Sequence, residues 1–295
     1  MKKENIFALV GPTASGKSDL GVKLAHKFNG VILSVDSLSV YKEIDIASAK
    51  PTVAEQDGIL HFGIDELAVN EKFDVIKFIE IFNKAKKYAK EHKKSLIIVG
   101  GTSFYLKVLT DGISPMPQIS SKIEQKVNNL LSDLKSAYEL LESIDEEYAK
   151  NIKSADRYRV QKALELYFQT DITPSSYFKQ NPPKPFVKDL PIYEIAINRD
   201  ILRERIAKRT KKMIEIGLID EVAKLEAKYS RAPNAMDAIG IKETLDFLDG
   251  RLNLQELEQK ISTNTARLAK RQVTFNKSQL NIAYSGSVEE IFNLF

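Results

Sequence analysis

The sequence predicts an α/β chain: a P-loop-type parallel sheet core flanked by helices, interrupted by a helical insertion domain. Three observations carry this prediction. Short apolar runs alternate with stretches of helical period, the pattern of a parallel sheet under helices. The first run is followed at once by a glycine-bounded loop that opens a helix. Seven of the ten prolines fall between Pro115 and Pro191, with helical sequence between them.

The elements follow in order. Ile6–Val10 is a continuous apolar run ending at a glycine turn, the mark of a buried parallel strand. Residues 19–28 place Leu20, Leu24 and Phe28 on one helical face. Gly30–Val35 reads as the next strand. Residues 73–89 form a helix with Val75, Ile76, Ile79, Phe82 and Ala85 inward, and residues 95–99 form a third strand ending at Gly100-Gly101. Pro115 and Pro117 then open the insertion, and Pro182, Pro183, Pro185 and Pro191 close it. Helices are expected over 123–134, 137–144 and 158–168. Strand character returns over 192–197. Helices follow over 201–217, Leu218–Tyr229, 240–249 and 254–276. The expected organisation is a catalytic core of residues 1–112 and 192–295, with an insertion domain at 113–191. Prolines set the chain direction at the joins. A length of 295 residues fits about two such units.

Composition narrows the function classes. With no cysteine, disulfides, thiolate nucleophiles and cysteine-ligated zinc are excluded. The three histidines, His26, His61 and His92, have no metal-pair spacing. No apolar run approaches the ~20 residues of a membrane span. The run after Lys2-Lys3 is too short for a signal-peptide core, so a cytoplasmic protein is expected. The net charge is only +4, but it is unevenly placed. Arg199, Arg203, Arg205, Lys208, Arg209, Lys211 and Lys212 crowd one stretch, and from Gln259 to Val288 there are basic residues and no acid. Such runs suit phosphates; a solvated helix face is the plain alternative.

Gly11-Pro12-Thr13-Ala14-Ser15-Gly16-Lys17-Ser18 matches G-x-x-x-x-G-K-[ST] completely, with a strand before it and a helix after. Backbone N–H groups of such a loop cradle a diphosphate or triphosphate at a helix N-terminus. Lys17 adds a positive charge near the terminal phosphate, and the Ser18 hydroxyl can ligate Mg²⁺. An ordinary P-loop ATPase also ends a buried strand in a magnesium-binding Asp. Here the strand at 95–99 ends in Gly100-Gly101-Thr102, and the strand that ends in an acid is Gly30–Val35, giving Asp36. At the carboxyl end of a strand beside the loop, Asp36 is either a metal holder or a general base on an acceptor.

The ordered motifs resemble the tRNA dimethylallyltransferase (tRNA isopentenyltransferase) family over ~90% of the chain, much more specific evidence than any single motif. The family's G-P-T-A-S-G-K-[ST] stands whole at residues 11–18. Its D-S-x-x-x-Y and D-I-G-T-A-K-P elements resemble Asp36-Ser37-Leu38-Ser39-Val40-Tyr41 and Asp45-Ile46-Ala47-Ser48-Ala49-Lys50-Pro51. His61 and Asp65 match a His-x-x-x-Asp element. Val99 to Tyr105 matches V-G-G-T-x-x-Y. Asp156, Arg159, Lys162, Ala163, Leu164 and Glu165 resemble D-x-x-R-x-x-R-A-L-E. Thr265, Arg267, Ala269, Lys270, Arg271, Gln272, Thr274 and Phe275 resemble the family's C-terminal T-R-x-x-A-K-R-Q-x-T-W. The chain departs from the pattern at Ala47-Ser48 (Gly-Thr in the family), Ser39 (often Gln), Lys162 (Arg), Ile241 (an aromatic) and Phe275 (Trp). Lys162 keeps the charge but loses a bidentate fork.

The resemblance implies transfer of a dimethylallyl group from dimethylallyl diphosphate to N6 of adenine 37 in tRNA. It implies that residues 11–18 hold the diphosphate leaving group and that Asp36 is the general base. Thr102 and Arg209 complete the catalytic set, with Mg²⁺ at Ser18. The implied tRNA contacts are Asp36, Ser37, Leu38, Ser39 and Thr102 in the core, with Tyr158, Arg159, Val160, Gln161 and Lys162 in the insertion. The 237–243 stretch is a further candidate for RNA contact. The expected partners are the tRNA anticodon stem-loop and dimethylallyl diphosphate, met by a monomer with no membrane. Three rival readings remain: a P-loop small-molecule kinase, a nucleotide-switched RNA-binding protein and an adenylate isopentenyltransferase. The missing acid after Val99 counts against the first, and Asp36 beside the loop against the second.

Overall fold

The computed structural model describes residues 6–295; the Lys2-Lys3 pair lies outside the described residues. The chain divides into two compact units. One runs to Thr110 and resumes at Val187; the other is Asp111–Phe186.

The first unit is built on six parallel strands: β1 (Ile6–Val10), β2 (Gly30–Val35), β3 (His61–Phe62), β4 (Ser95–Gly100), β5 (Ile192–Ile195) and β6 (Tyr284–Gly286), in the order β3-β2-β4-β1-β5-β6. β1 lies in the interior of the sheet between β4 and β5, which explains its uninterrupted apolar sequence: Ala8, Leu9 and Val10 are fully buried. In register, Leu9 stands beside Val99, and Val35 beside Gly100. The loop after β1, Asp36 after β2 and Gly101 after β4 therefore meet at one edge. That carboxyl edge is where chain order reverses about β1, the usual place for a ligand in such a sheet.

Helices α1 (Lys17–Lys27), α2 (Val53–Gln56), α3 (Val75–Glu91) and α4 (Ser103–Asp111) precede the insertion. Asp74 caps α3, its side chain accepting from the amides of Ile76 and Lys77 at 3.1 Å each, so the helix starts two residues after the expected Phe73. α1 buries Leu20 and Leu24 against Phe7, Leu9, Ile97 and Val99; each such side chain contributes about 1.5–3 kcal/mol by leaving water.

The insertion carries α5 (Ser121–Leu130), α6 (Leu134–Ile144), α7 (Glu146–Ala149), α8 (Arg157–Thr170) and α9 (Pro174–Gln180). It has a core of its own, including Val127, Leu131, Leu141, Val160, Ala163 and Leu164. The expected break between its first two helices is displaced because Asp133 caps α6 through the amides of Lys135 and Ser136. The joins also differ from those expected, lying at 110/111 and 186/187 rather than 112/113 and 191/192. The Val187 amide donates to the Leu109 carbonyl at 3.0 Å, and Ala8 donates to the Pro191 carbonyl at 2.9 Å, so 187–191 is already core.

The core resumes with α10 (Arg199–Glu215), α11 (Leu218–Tyr229), α12 (Ile241–Leu248), α13 (Leu254–Gln279) and α14 (Val288–Leu294). The strand expected over 192–197 stops at Ile195 because Asn198 caps α10, accepting from the amides of Asp200 at 2.8 Å and Ile201 at 3.4 Å. α14 lies beyond the last helix expected from the sequence; Ile291 buries it in the cluster that holds α1. No helix among the described residues is long and apolar enough to cross a membrane.

Candidate active site: an anion nest beside an apolar chamber

The glycine loop connects β1 to α1 and ends in Gly16, whose φ of 96° is left-handed and caps the helix. The first amides of α1, those of Lys17 and Ser18, belong to the N–H groups that a helix leaves without internal acceptors. Lys17 and Ser18 line a cavity of about 170 Å³ together with Thr13, Ser34, Asp36 and Arg209. Lys17 Nζ donates to the Pro12 carbonyl at 2.8 Å. Burial is the main force on its ammonium and pushes its pKa down to about 8; Asp36 opposes this shift and Arg209 adds to it. Burial also pulls the Arg209 guanidinium down, against the attraction of Asp36. Gly11 and Ser15 are buried, and Ser15 Oγ has no hydrogen-bond partner.

Helices from the far end of the sequence hold the loop in place. Arg209 Nη1 on α10 donates to Thr13 Oγ1 at 3.1 Å, and Arg205 Nη1 to the Ser15 carbonyl at 3.4 Å. Ala14 packs against Leu202, Ile206 and Ala269. Gln272 on α13 is a bridge: its Oε1 accepts from the Thr13 amide at 2.9 Å, and its Nε2 donates to the Gly101 carbonyl at 3.0 Å. A Cβ at position 101 would collide with that Nε2 and displace the Gln272 amide from its bridge. In the sequence Gln272 stands only within the C-terminal motif, 259 residues from Thr13, and nothing local marks its role at the loop.

Asp36 is held by its own turn. Its Oδ1 accepts from the amides of Leu38 at 2.9 Å and Ser39 at 3.2 Å. Thr102 is tied to the same turn, its Oγ1 accepting from the Ser37 amide at 3.3 Å and its amide donating to the Val35 carbonyl at 3.1 Å. A second cavity, of about 630 Å³, opens beside this turn. Tyr41, Phe73, Tyr105, Met213, Leu268 and Phe275 contribute apolar surface to it, and Thr13, Asp36, Gly101 and Arg209 line both cavities. Phe78 stacks on Tyr105 at 4.6 Å, and burial pushes the Tyr105 phenol up to about 12, so it stays neutral. The arrangement joins a polar anion pocket to an apolar chamber, with a carboxylate at their junction.

The structure thus brings together residues 11–18, Asp36, Thr102 and Arg209. Ser39 is buried and lines the smaller cavity. The five residues from Tyr158 to Lys162 lie on α8 of the insertion. Tyr158 and Arg159 are exposed there. Val160 is a correction: helical period turns it into the insertion's core, fully buried with Ala163 and Leu164, so its side chain is a packing group and not an RNA contact. Gln161 and Lys162 are drawn toward buried Glu165, Gln161 Nε2 at 2.7 Å and Lys162 Nζ at 2.6 Å. Among the described residues no group of three or more His, Asp or Glu side chains could hold a metal by itself. Ser18, with Asp19 and Asp36 beside it, supplies the oxygen-bearing side chains at the nest that would hold a Mg²⁺ ion.

A family model described as IPP transferase matches residues 39–279. The chain belongs to this family. Among curated IPP transferase relatives, a tRNA dimethylallyltransferase of Nautilia profundicola is 55% identical over 97% of both chains. One of Sulfurovum sp. is 54% identical over 97% of this chain and 95% of that one. Among solved structures, a tRNA isopentenylpyrophosphate transferase from Bacillus halodurans has a TM-score of 0.72 at 30% identity, covering 99% of this chain and 95% of that one. A eukaryotic dimethylallyltransferase acting on tRNA has a TM-score of 0.84 at 26% identity, covering 96% of this chain and 74% of that one.

Proposed function

We propose that this IPP transferase moves a dimethylallyl group from dimethylallyl diphosphate to N6 of adenine 37 in tRNA, releasing diphosphate. The observation that carries this reading is the junction of the two cavities. Thr13, Asp36 and Arg209 border both the anion nest and the apolar chamber. A diphosphate held in the nest would direct its allylic tail toward the chamber, past the Asp36 carboxylate at the shared border.

In this mechanism the allylic C–O bond breaks as charge collects on the departing diphosphate. Lys17, Arg209 and the α1 amides stabilise that charge in place, with no reorganisation needed at the moment of reaction. Ser18 would hold a Mg²⁺ ion here, and such an ion, when bound, would supply further charge neutralisation. The exocyclic N6 forms its bond to the allylic carbon, and its proton passes to Asp36. The Asp36 turn fixes the carboxylate's direction, and Thr102 fixes the turn. The target base leaves its stack to enter the chamber, at a cost of a few kcal/mol that phosphate contacts offset. Tyr158, Arg159 and the neighbouring α8 surface would supply such contacts to the anticodon stem-loop, with the protein acting as a monomer.

The test is direct. The wild-type protein is incubated with labelled dimethylallyl diphosphate and either tRNA, AMP or ATP. Label on tRNA adenine is the expected result. Label on AMP instead would reassign the acceptor, and ATP turnover without transfer would make the nest a nucleotide site. Light scattering with and without tRNA tests the monomer.

A further inference from the structure

Segment 43–49 joins the two cavities from a different side than the glycine loop. Ala47 and Ser48 line the chamber, and Ser48 and Ala49 line the nest. The segment is bracketed by two non-glycine residues in left-handed conformation, Glu43 at φ 68° and Ala49 at φ 46°. Such a backbone persists only where its surroundings over-determine it. α11 supplies those surroundings. Glu221 Oε2 accepts from the amides of Asp45 at 3.0 Å and Ile46 at 2.7 Å, and its Oε1 from the amide of Ala47 at 2.9 Å. Two helical turns further on, Lys228 Nζ donates to both carboxylate oxygens of Glu43, at 2.9 and 2.8 Å, and Tyr229 Oη donates to Glu43 at 2.6 Å. From inside, Lys50 Nζ bonds the Tyr41 carbonyl at 3.0 Å. Ser48 Oγ is spent on the Ile44 carbonyl at 2.6 Å. Every one of these contacts holds the segment in place.

Resting on the proposed function, we infer that Glu221 is a positioning residue that fixes the 45–48 wall of the chamber, and that this wall limits the length of allylic diphosphate accepted. A carboxylate is required because three consecutive N–H donors converge on its two oxygens. An amide of the same shape turns one oxygen into a donor, which must then face at least one backbone N–H. Releasing the wall widens the chamber at Ala47 and loosens Ser48 and Ala49 at the edge of the nest, while the glycine loop, Asp36 and α8 keep their own supports. The donor, which meets this segment in both cavities, should therefore be affected more than the tRNA, whose affinity rests on phosphate contacts elsewhere.

The experiment compares wild type with Glu221→Gln, and with Glu43→Gln, which frees the other end of the segment. Binding of five-carbon and ten-carbon allylic thiodiphosphates, which resist transfer, is measured by calorimetry alongside KM for donor and tRNA. For Glu221→Gln the expected result is a donor KM raised about tenfold with tRNA KM within twofold. The ten-carbon analogue should gain on the five-carbon one. Glu43→Gln should shift both readouts in the same direction by less. A rise in both KM values together, or an unchanged preference between the two analogues, overturns the inference. A wild type that binds neither analogue overturns the proposed function as well, whereas a wild type that binds them and is matched by both variants overturns this inference alone.

Discussion

At the scale of single residues, the site depends on groups whose charge or direction is set by their surroundings. Asp36 combines a structural duty with the proposed chemical one, because its Oδ1 anchors the turn at Leu38 and Ser39. Asp36→Asn keeps that acceptor and removes the base. We expect diphosphate binding within a few-fold of wild type and transfer reduced about 10²- to 10⁴-fold. Equal loss of diphosphate binding in calorimetry would assign Asp36 to the metal instead. Lys17 gives a pH signature. Its folded pKa is about 8 against 10.5 in the unfolded chain, so the ligand-free protein loses this charge as pH rises through 8. Diphosphate affinity should fall across that point, and the fall should be absent in Lys17→Met. Stability runs the other way. Between about pH 8 and 10.5 the unfolded chain binds the extra proton, so Lys17's contribution to stability rises with pH in that window; below 8 its penalty is constant. Thermal melts of wild type and Lys17→Met across pH 7–10 would show the curves converging.

At the scale of elements, the glycine loop is held by α10 and α13, which lie some 190 residues or more away in sequence. Gln272→Ala removes both halves of its bridge, two neutral hydrogen bonds worth about 1 kcal/mol each net. A lower melting temperature together with a donor KM raised several-fold is expected. A lower melting temperature with unchanged donor KM would make the bridge purely structural. Sequence reading was strongest where local pattern and local structure coincide. The strand–loop–helix around residues 6–27 follows from the local order of residues alone, and so does the position of Asp36 at the end of β2. It was weakest where tertiary partners decide. β3 is two residues long and β6 three, too short for any period, and α14 exists because Ile291 finds the α1 cluster. Gln272 and Glu221 have roles that only the folded chain displays. Val160 shows the opposite failure, since a motif match overrode a helical period that already pointed it inward.

At the scale of the whole molecule, the two units divide the labour of recognition as proposed. The core holds the nest and chamber, and the insertion presents Tyr158 and Arg159 on α8. If Arg159 meets a tRNA phosphate, Arg159→Gln should weaken binding across tRNA sequences alike. It should also flatten the log–log salt slope by roughly 0.7–0.9. Filter binding from low to moderate salt checks this, and an unaltered slope would move the RNA surface off α8.

The hydrogen bond from Val187 to Leu109 has a consequence for how such a chain is assembled. The excursion between them leaves and returns through one doorway, with Gly112 already against Lys184 on the far side. Closing a flexible excursion of that length would cost the core about 4 kcal/mol in entropy. An excursion that has condensed around its own Leu141 and Leu164 arrives with its ends adjacent, and most of that cost disappears. Order of synthesis favours this, because the graft is complete before β5 and β6 emerge to finish the sheet. Lineages could then exchange or enlarge the graft without disturbing the register of a single strand.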